Sequence, residues 1–109
     1  MSLRLHLVEY IEQHQDSNRA ILVSVSVQLL DDLDVEEFRL LAQSAGAEIL
    51  EHITAQRIKP DPKLFIGSGK AEEIAELAKA LEADLVIFDH ALSPSQERNL
   101  ERVMQCRVI

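Results

Sequence analysis

An α/β fold, a small and mostly parallel sheet of about four strands with helices on both faces, is predicted by three observations. Strand-like and helix-like segments alternate from residue 19 onward with short connections, the order that builds a parallel sheet through crossover helices. Asp84-Leu85-Val86-Ile87-Phe88 is an unbroken apolar run behind one aspartate, as expected of a strand buried on both faces. Ile74, Leu77, Ala78 and Leu81 fall at i, i+3, i+4 and i+7, which puts an apolar stripe on one face of a helix.

The elements follow in order. Residues 1–18 form an N-terminal tail or extra element, whose apolar positions Leu3, Leu5, Leu7, Val8 and Ile11 begin at period two and drift towards helical spacing. Residues 19–109 form the domain. Arg19-Ala20-Ile21-Leu22-Val23-Ser24-Val25-Ser26-Val27 is rich in β-branched side chains and predicts a central strand. Asp31, Asp32 and Asp34 offer N-caps for a helix that buries Val35, Phe38, Leu41, Ala42 and Ala45 and stops at Gly46. A second strand covers 47–54, and Leu64-Phe65-Ile66 predicts a short third one before a helix that starts at Ser68 or Gly69. Ser93-Pro94-Ser95-Gln96 meets three helix-start rules: a serine N-cap, proline in the first turn and a capping-box glutamine. That helix buries Leu100, Val103 and Met104, and Arg107-Val108-Ile109 predicts a strand that the sequence ends inside.

Composition narrows the class. With 109 residues, 47% apolar and 28% charged, the chain suits one soluble domain. Its longest nearly apolar run, 20–30, is interrupted by Ser24, Ser26 and Gln28 and is too short to span a membrane. Neither a secretory leader nor a disulfide is expected, and the lone Cys106 fits a reducing, cytoplasmic setting as a small, partly buried apolar residue rather than a nucleophile. The net charge of −8 argues against indiscriminate nucleic-acid coating, yet between residues 56 and 70 four cations, Arg57, Lys59, Lys63 and Lys70, face only Asp61.

In parallel sheets ligands sit beyond the carboxyl ends of the strands. That rule gathers the connections 28–34, 56–63, 67–70 and 89–93 on one edge. Gly67, Ser68, Gly69 and Lys70 at a helix start are phosphate-binding candidates through free backbone N–H groups and the helix dipole. A Walker A loop fails at Leu64 and Ala71, and a dinucleotide fingerprint fails at Glu72. Arg57, Lys59 and Lys63 are RNA-binding candidates, with Phe65 as a ring that either stacks on a base or belongs to the core. Asp89 and His90 form either an acid–base pair or a helix-entry turn in which Asp89 satisfies backbone donors. No catalytic residue is assigned, and no zinc or HExxH spacing involves His6, His14 or His52.

Lys59-Pro60-Asp61-Pro62, Phe65-Ile66-Gly67-Ser68-Gly69-Lys70-Ala71-Glu72-Glu73-Ile74 and the run from Ala83-Asp84 through Asp89-His90-Ala91-Leu92-Ser93-Pro94-Ser95-Gln96-Glu97-Arg98-Asn99-Leu100-Glu101 resemble the N-terminal domain of the HflX family of translational GTPases. The resemblance covers 20–109 and is most specific at 89–100. It implies a ribosome-associated factor that binds the large subunit and its rRNA, splits or rescues ribosomes under stress, and hydrolyses GTP with magnesium in a GTPase domain following the last strand. No GTPase motif lies in these residues, so the implied role of this chain is non-catalytic: engaging the ribosome and restraining its own GTPase domain. The resemblance places the family's glycine turn on Gly67 and Gly69, and its post-strand signature on Asp89, Ser93, Gln96 and Asn99, without assigning their individual roles. The parallel-sheet reading sets the turn after residue 88 beside the basic loop, and Asp89, His90, Ser93 and Gln96 are recognition-edge candidates. The alternative is an adenine-nucleotide-binding regulatory or ATPase domain using the turn at 67–70.

Overall fold

A computed structural model describes residues 3–13, 17–26, 35–56 and 61–109. Its elements are α1 (Leu3–Gln13), β1 (Arg19–Ser26), α2 (Val35–Ser44), β2 (Glu48–Gln56), α3 (Ser68–Leu81), β3 (Leu85–Phe88), α4 (Pro94–Met104) and β4 (Arg107–Val108). The four strands pair in the order β2-β1-β3-β4, all parallel. The α/β class and a parallel sheet of about four strands match the expectation, although one of the individually predicted strands is not among them. The N-terminal segment is a helix, and Asp31, Asp32 and Asp34 lie outside the described residues.

Alternation along β1 divides the interior into two cores. Ile21, Val23 and Val25 face α3 and α4, where they pack with Ala71, Ile74, Ala78, Leu100 and Met104. Ala20 and Leu22 face the other way, with Leu7 of α1 and Phe38 and Ala42 of α2. β3 serves both cores, and all four of its residues have no exposed surface. Removing such side chains from water is worth about 1.5–3 kcal/mol each, so this strand needs no polar alternation. The tail joins the second core through Leu7 and Tyr10, and the Arg107 guanidinium lies 5.9 Å from the centre of the Tyr10 ring, linking α1 to β4.

One expected strand is absent. Leu64, Phe65 and Ile66 belong to a turn closed by a single antiparallel bridge between Asp61 and Phe65, with N–H···O distances of 2.8 Å in both directions. Phe65 takes a φ of 64°, and Ile66 donates to the Leu64 carbonyl at 2.6 Å. The triplet is apolar because Phe65 and Ile66 plug the α3/α4 core at 7% and 2% exposure. A run this short signals burial without specifying a ladder.

The helix ends agree with local chemistry. Ser93 Oγ accepts from Gln96 N at 3.1 Å, and Gln96 Oε1 accepts from Ser93 N at 2.9 Å, closing the capping box. At the amino edge of the sheet, Arg19 donates to the final carbonyls of α3, reaching Leu81 O at 2.8 Å and Glu82 O at 3.3 Å, and pairs with Glu48 at 3.0 Å. The last strand is closed sideways as well: Val108 N donates to Glu101 Oε2 at 3.1 Å. A carboxylate there occupies a backbone donor that would otherwise invite another strand.

Candidate functional site

The carboxyl ends of β1, β2 and β3 share one edge because all the strands are parallel. Three described features meet there: the 61–66 turn, the start of α3, and the 89–93 turn leading into α4. Arg57 and Lys59 lie outside the described residues. Lys63 is exposed on the turn.

The turn is organised by Asp61, a residue whose importance is not evident from the sequence. Its Oδ1 accepts from the N–H groups of Lys63 and Leu64, both at 2.8 Å, which fixes an Asx-type turn. Its carbonyl accepts from Phe65 N and from Gln96 Nε2 at 3.0 Å. The Lys63 carbonyl accepts from Asn99 Nδ2 at 3.0 Å. An aspartate two residues before a lysine, between two prolines, is the one local signal of this role.

Gly67 is the N-cap of α3 with φ 85° and ψ 160°, a backbone region open essentially to glycine alone. The first helical bond of α3 is Ala71 N to Gly67 O at 3.1 Å, so the N–H groups of Ser68, Gly69 and Lys70 precede the hydrogen-bonded ladder. The residues Gly67, Ser68, Gly69 and Lys70 line an open cleft of about 840 Å³, walled by Thr54 and Ala55 of β2 and by Asp61. Lys70 Nζ sits 3.3 Å from Glu73, so its charge is shared with a carboxylate of the same helix.

Asp89 and His90 extend the sheet with side chains. Asp89 N continues the ladder to Val23 O at 3.2 Å. One pleat further, Asp89 Oδ1 accepts from Val25 N at 3.0 Å and His90 Nε2 donates to Val25 O at 2.5 Å, since a carbonyl only accepts. The two side chains also approach each other at 3.4 Å. Burial pushes the Asp89 carboxyl above its ordinary value of 3.8, opposed by the Val25 N–H and by His90. This geometry makes the pair the finishing caps of β1. Phe65 packs between the Phe88 and His90 rings, with centroids at 6.3 and 5.5 Å, so it serves the core.

A second polar pair lies on the α2 face. Ser24, buried in β1, is 2.7 Å from His52 Nε2 of β2, and Phe38 meets the imidazole edge-on at 5.9 Å. Burial holds His52 below its ordinary value of 6.5, reinforced by Arg39 and opposed by Asp89, Glu36 and Glu51. Among the described residues no group of His, Cys, Asp and Glu is arranged to hold a metal, and no helix is long and apolar enough to cross a membrane. Burial, with Glu101 and Asp84 nearby, pushes the half-buried Cys106 thiol up to about 11.

The fold and this edge define a parallel α/β domain with its connecting turns gathered at the carboxyl ends of the strands. Residues 32–109 match the family described as GTP-binding GTPase N-terminal, and the chain belongs to that family, the N-terminal domain of HflX-type GTPases. It is 50% identical over 99 residues to the GTPase HflX of Escherichia coli (strain K12), covering 90% of this chain and 23% of that protein. The GTPase HflX of Lacrimispora saccharolytica is 33% identical over 105 residues, covering 94% of this chain and 25% of the relative. That of Flavobacterium psychrophilum is 31% identical over 75 residues, with 69% and 18% covered. The chain thus spans a quarter or less of the length of these relatives.

Proposed function

We propose that this chain is the non-catalytic, ribosome- and RNA-binding N-terminal domain of an HflX-type GTPase, acting in ribosome splitting or rescue in the cytoplasm. GTP and magnesium belong, on this reading, to a separate GTPase domain that this one restrains. The observation that carries the proposal is the basic stretch 56–70 in the sequence of an acidic chain, together with Lys63 of that stretch standing exposed on a tightly bonded turn at the carboxyl edge of a parallel sheet. Lysine and arginine contacts to phosphates dominate RNA affinity and make it salt-dependent. Replacing Arg57, Lys59 and Lys63 by alanine is expected to weaken sedimentation with bacterial large ribosomal subunits and to flatten the dependence of binding on salt. Unchanged binding and slope would remove the basic segment from the interface.

The open cleft at the α3 N-terminus favours a second reading, an adenine-nucleotide site at Gly67, Ser68, Gly69 and Lys70. Under it, ATP would raise the melting temperature and Lys70→Ala would abolish the shift. The RNA-binding reading expects no such shift.

A further inference from the structure

We propose that Gln96 and Asn99 are positioning residues for recognition, their two carboxamides clamping the 61–66 turn so that Lys63 is held ready for phosphate groups of RNA. The inference rests on the ribosome-binding reading above and deepens it.

The choice of side chain at position 96 is informative. A capping box accepts glutamate or glutamine at this position, and glutamate has the added advantage of a negative charge at the positive end of the helix. Only the amide has an N–H to donate. Gln96 uses both halves: Oε1 accepts from Ser93 N within its own helix, while Nε2 crosses to Asp61 O, 35 residues away. Asn99 stands three residues further along α4 and repeats the pattern. Its Nδ2 donates to Lys63 O and its Oδ1 accepts from Arg102 Nη1 at 3.4 Å.

The turn is therefore tied to α4 at two carbonyls and closed internally by Asp61 and Phe65. With both amides engaged inside the domain, the exposed Lys63 side chain is the group the turn offers to a partner. Holding a binding loop in place before contact lowers the ordering cost of association.

Three variants separate the clamp from its neighbours. Gln96→Glu preserves the capping box but removes the donor to Asp61. Ser95→Glu, at an exposed site one residue earlier, adds the same charge and leaves the clamp alone. Asn99→Ala frees the Lys63 carbonyl without changing charge. Each is measured as the whole chain by circular dichroism, by amide exchange at Lys63, Leu64 and Phe65, and by Kd for bacterial large ribosomal subunits. The expected result for Gln96→Glu is retained helix content, faster exchange in the turn, and binding roughly three- to tenfold weaker than for Ser95→Glu. Asn99→Ala should act in the same direction.

Unchanged turn exchange in both clamp variants would overturn the positioning role, whatever happens to binding. A loosened turn with Kd equal to that of Ser95→Glu would overturn its service to recognition. No binding by the unaltered chain would overturn the ribosome-binding reading itself, and the recognition role with it.

Discussion

At the scale of single residues, the two glycines that open α3 have different reasons to be there. Gly67 sits at φ 85° and ψ 160°, where a Cβ clashes with the backbone. At Gly69 an added methyl group would meet nothing within 4 Å, so its only local effect is on helix propensity. Gly67→Ala is expected to lower stability by about 1–3 kcal/mol, and Gly69→Ala to raise it by up to about 1 kcal/mol, as measured by urea unfolding. Equal effects from both would mean that the turn relaxes around residue 67. The pair looks alike in sequence, because the spacing Gly-Ser-Gly marks a turn without saying which glycine carries the unusual dihedral. Phe65 is ambiguous in sequence for a related reason: an aromatic beside lysines suits either a base or a core, and only its packing against Phe88 and His90 decides.

At the scale of elements, ends written in local chemistry were legible and ends written by distant partners were not. Ser93, Pro94 and Gln96 announce α4 within four residues, and the helix begins there. The end of α3 is different. Glu82 closes it in a left-handed conformation with φ 56°, and the carbonyls of Leu81 and Glu82 are met by Arg19 from β1, across 62 and 63 residues. Arg19→Ala would leave those acceptors to water and break the contact with Glu48. A loss of about 1–2 kcal/mol is expected, and amide exchange should rise first at the end of α3. A loss confined to β1, with α3 unaffected, would argue against the capping role. The predicted third strand failed on the same principle, since a buried triplet has no means of specifying a ladder partner that does not exist.

At the scale of the whole molecule, one sheet divides two cores, and its polar pairs confer pH sensitivity. His52 is held below its ordinary value of 6.5, so the folded state resists protonation more than the unfolded chain. Its contribution is therefore fully present above about pH 6.5 and lost as pH falls through the lower folded value. His52→Gln, which keeps a polar partner for Ser24, should reduce the fall in stability on acidification from about pH 7 to pH 5. An identical fall in both proteins would place the pH dependence elsewhere. Asp89 has the opposite shift: its contribution is present below the ordinary 3.8 and is lost as pH rises through the raised folded value.

The sequence by itself determined the α/β class, the central strand, the buried β3 run, the start of α4 and the family resemblance, because period, capping chemistry and motif residues are local properties. Tertiary structure decided that Leu64-Phe65-Ile66 is a plug, that Asp89 and His90 finish β1 at Val25, and that Gln96 and Asn99 hold the turn bearing Lys63. Each depends on a hydrogen bond or ring contact between residues brought together from separate elements. A side chain's chemistry names what it is able to bind; only the folded backbone selects which of those partners stands within hydrogen-bonding reach of it.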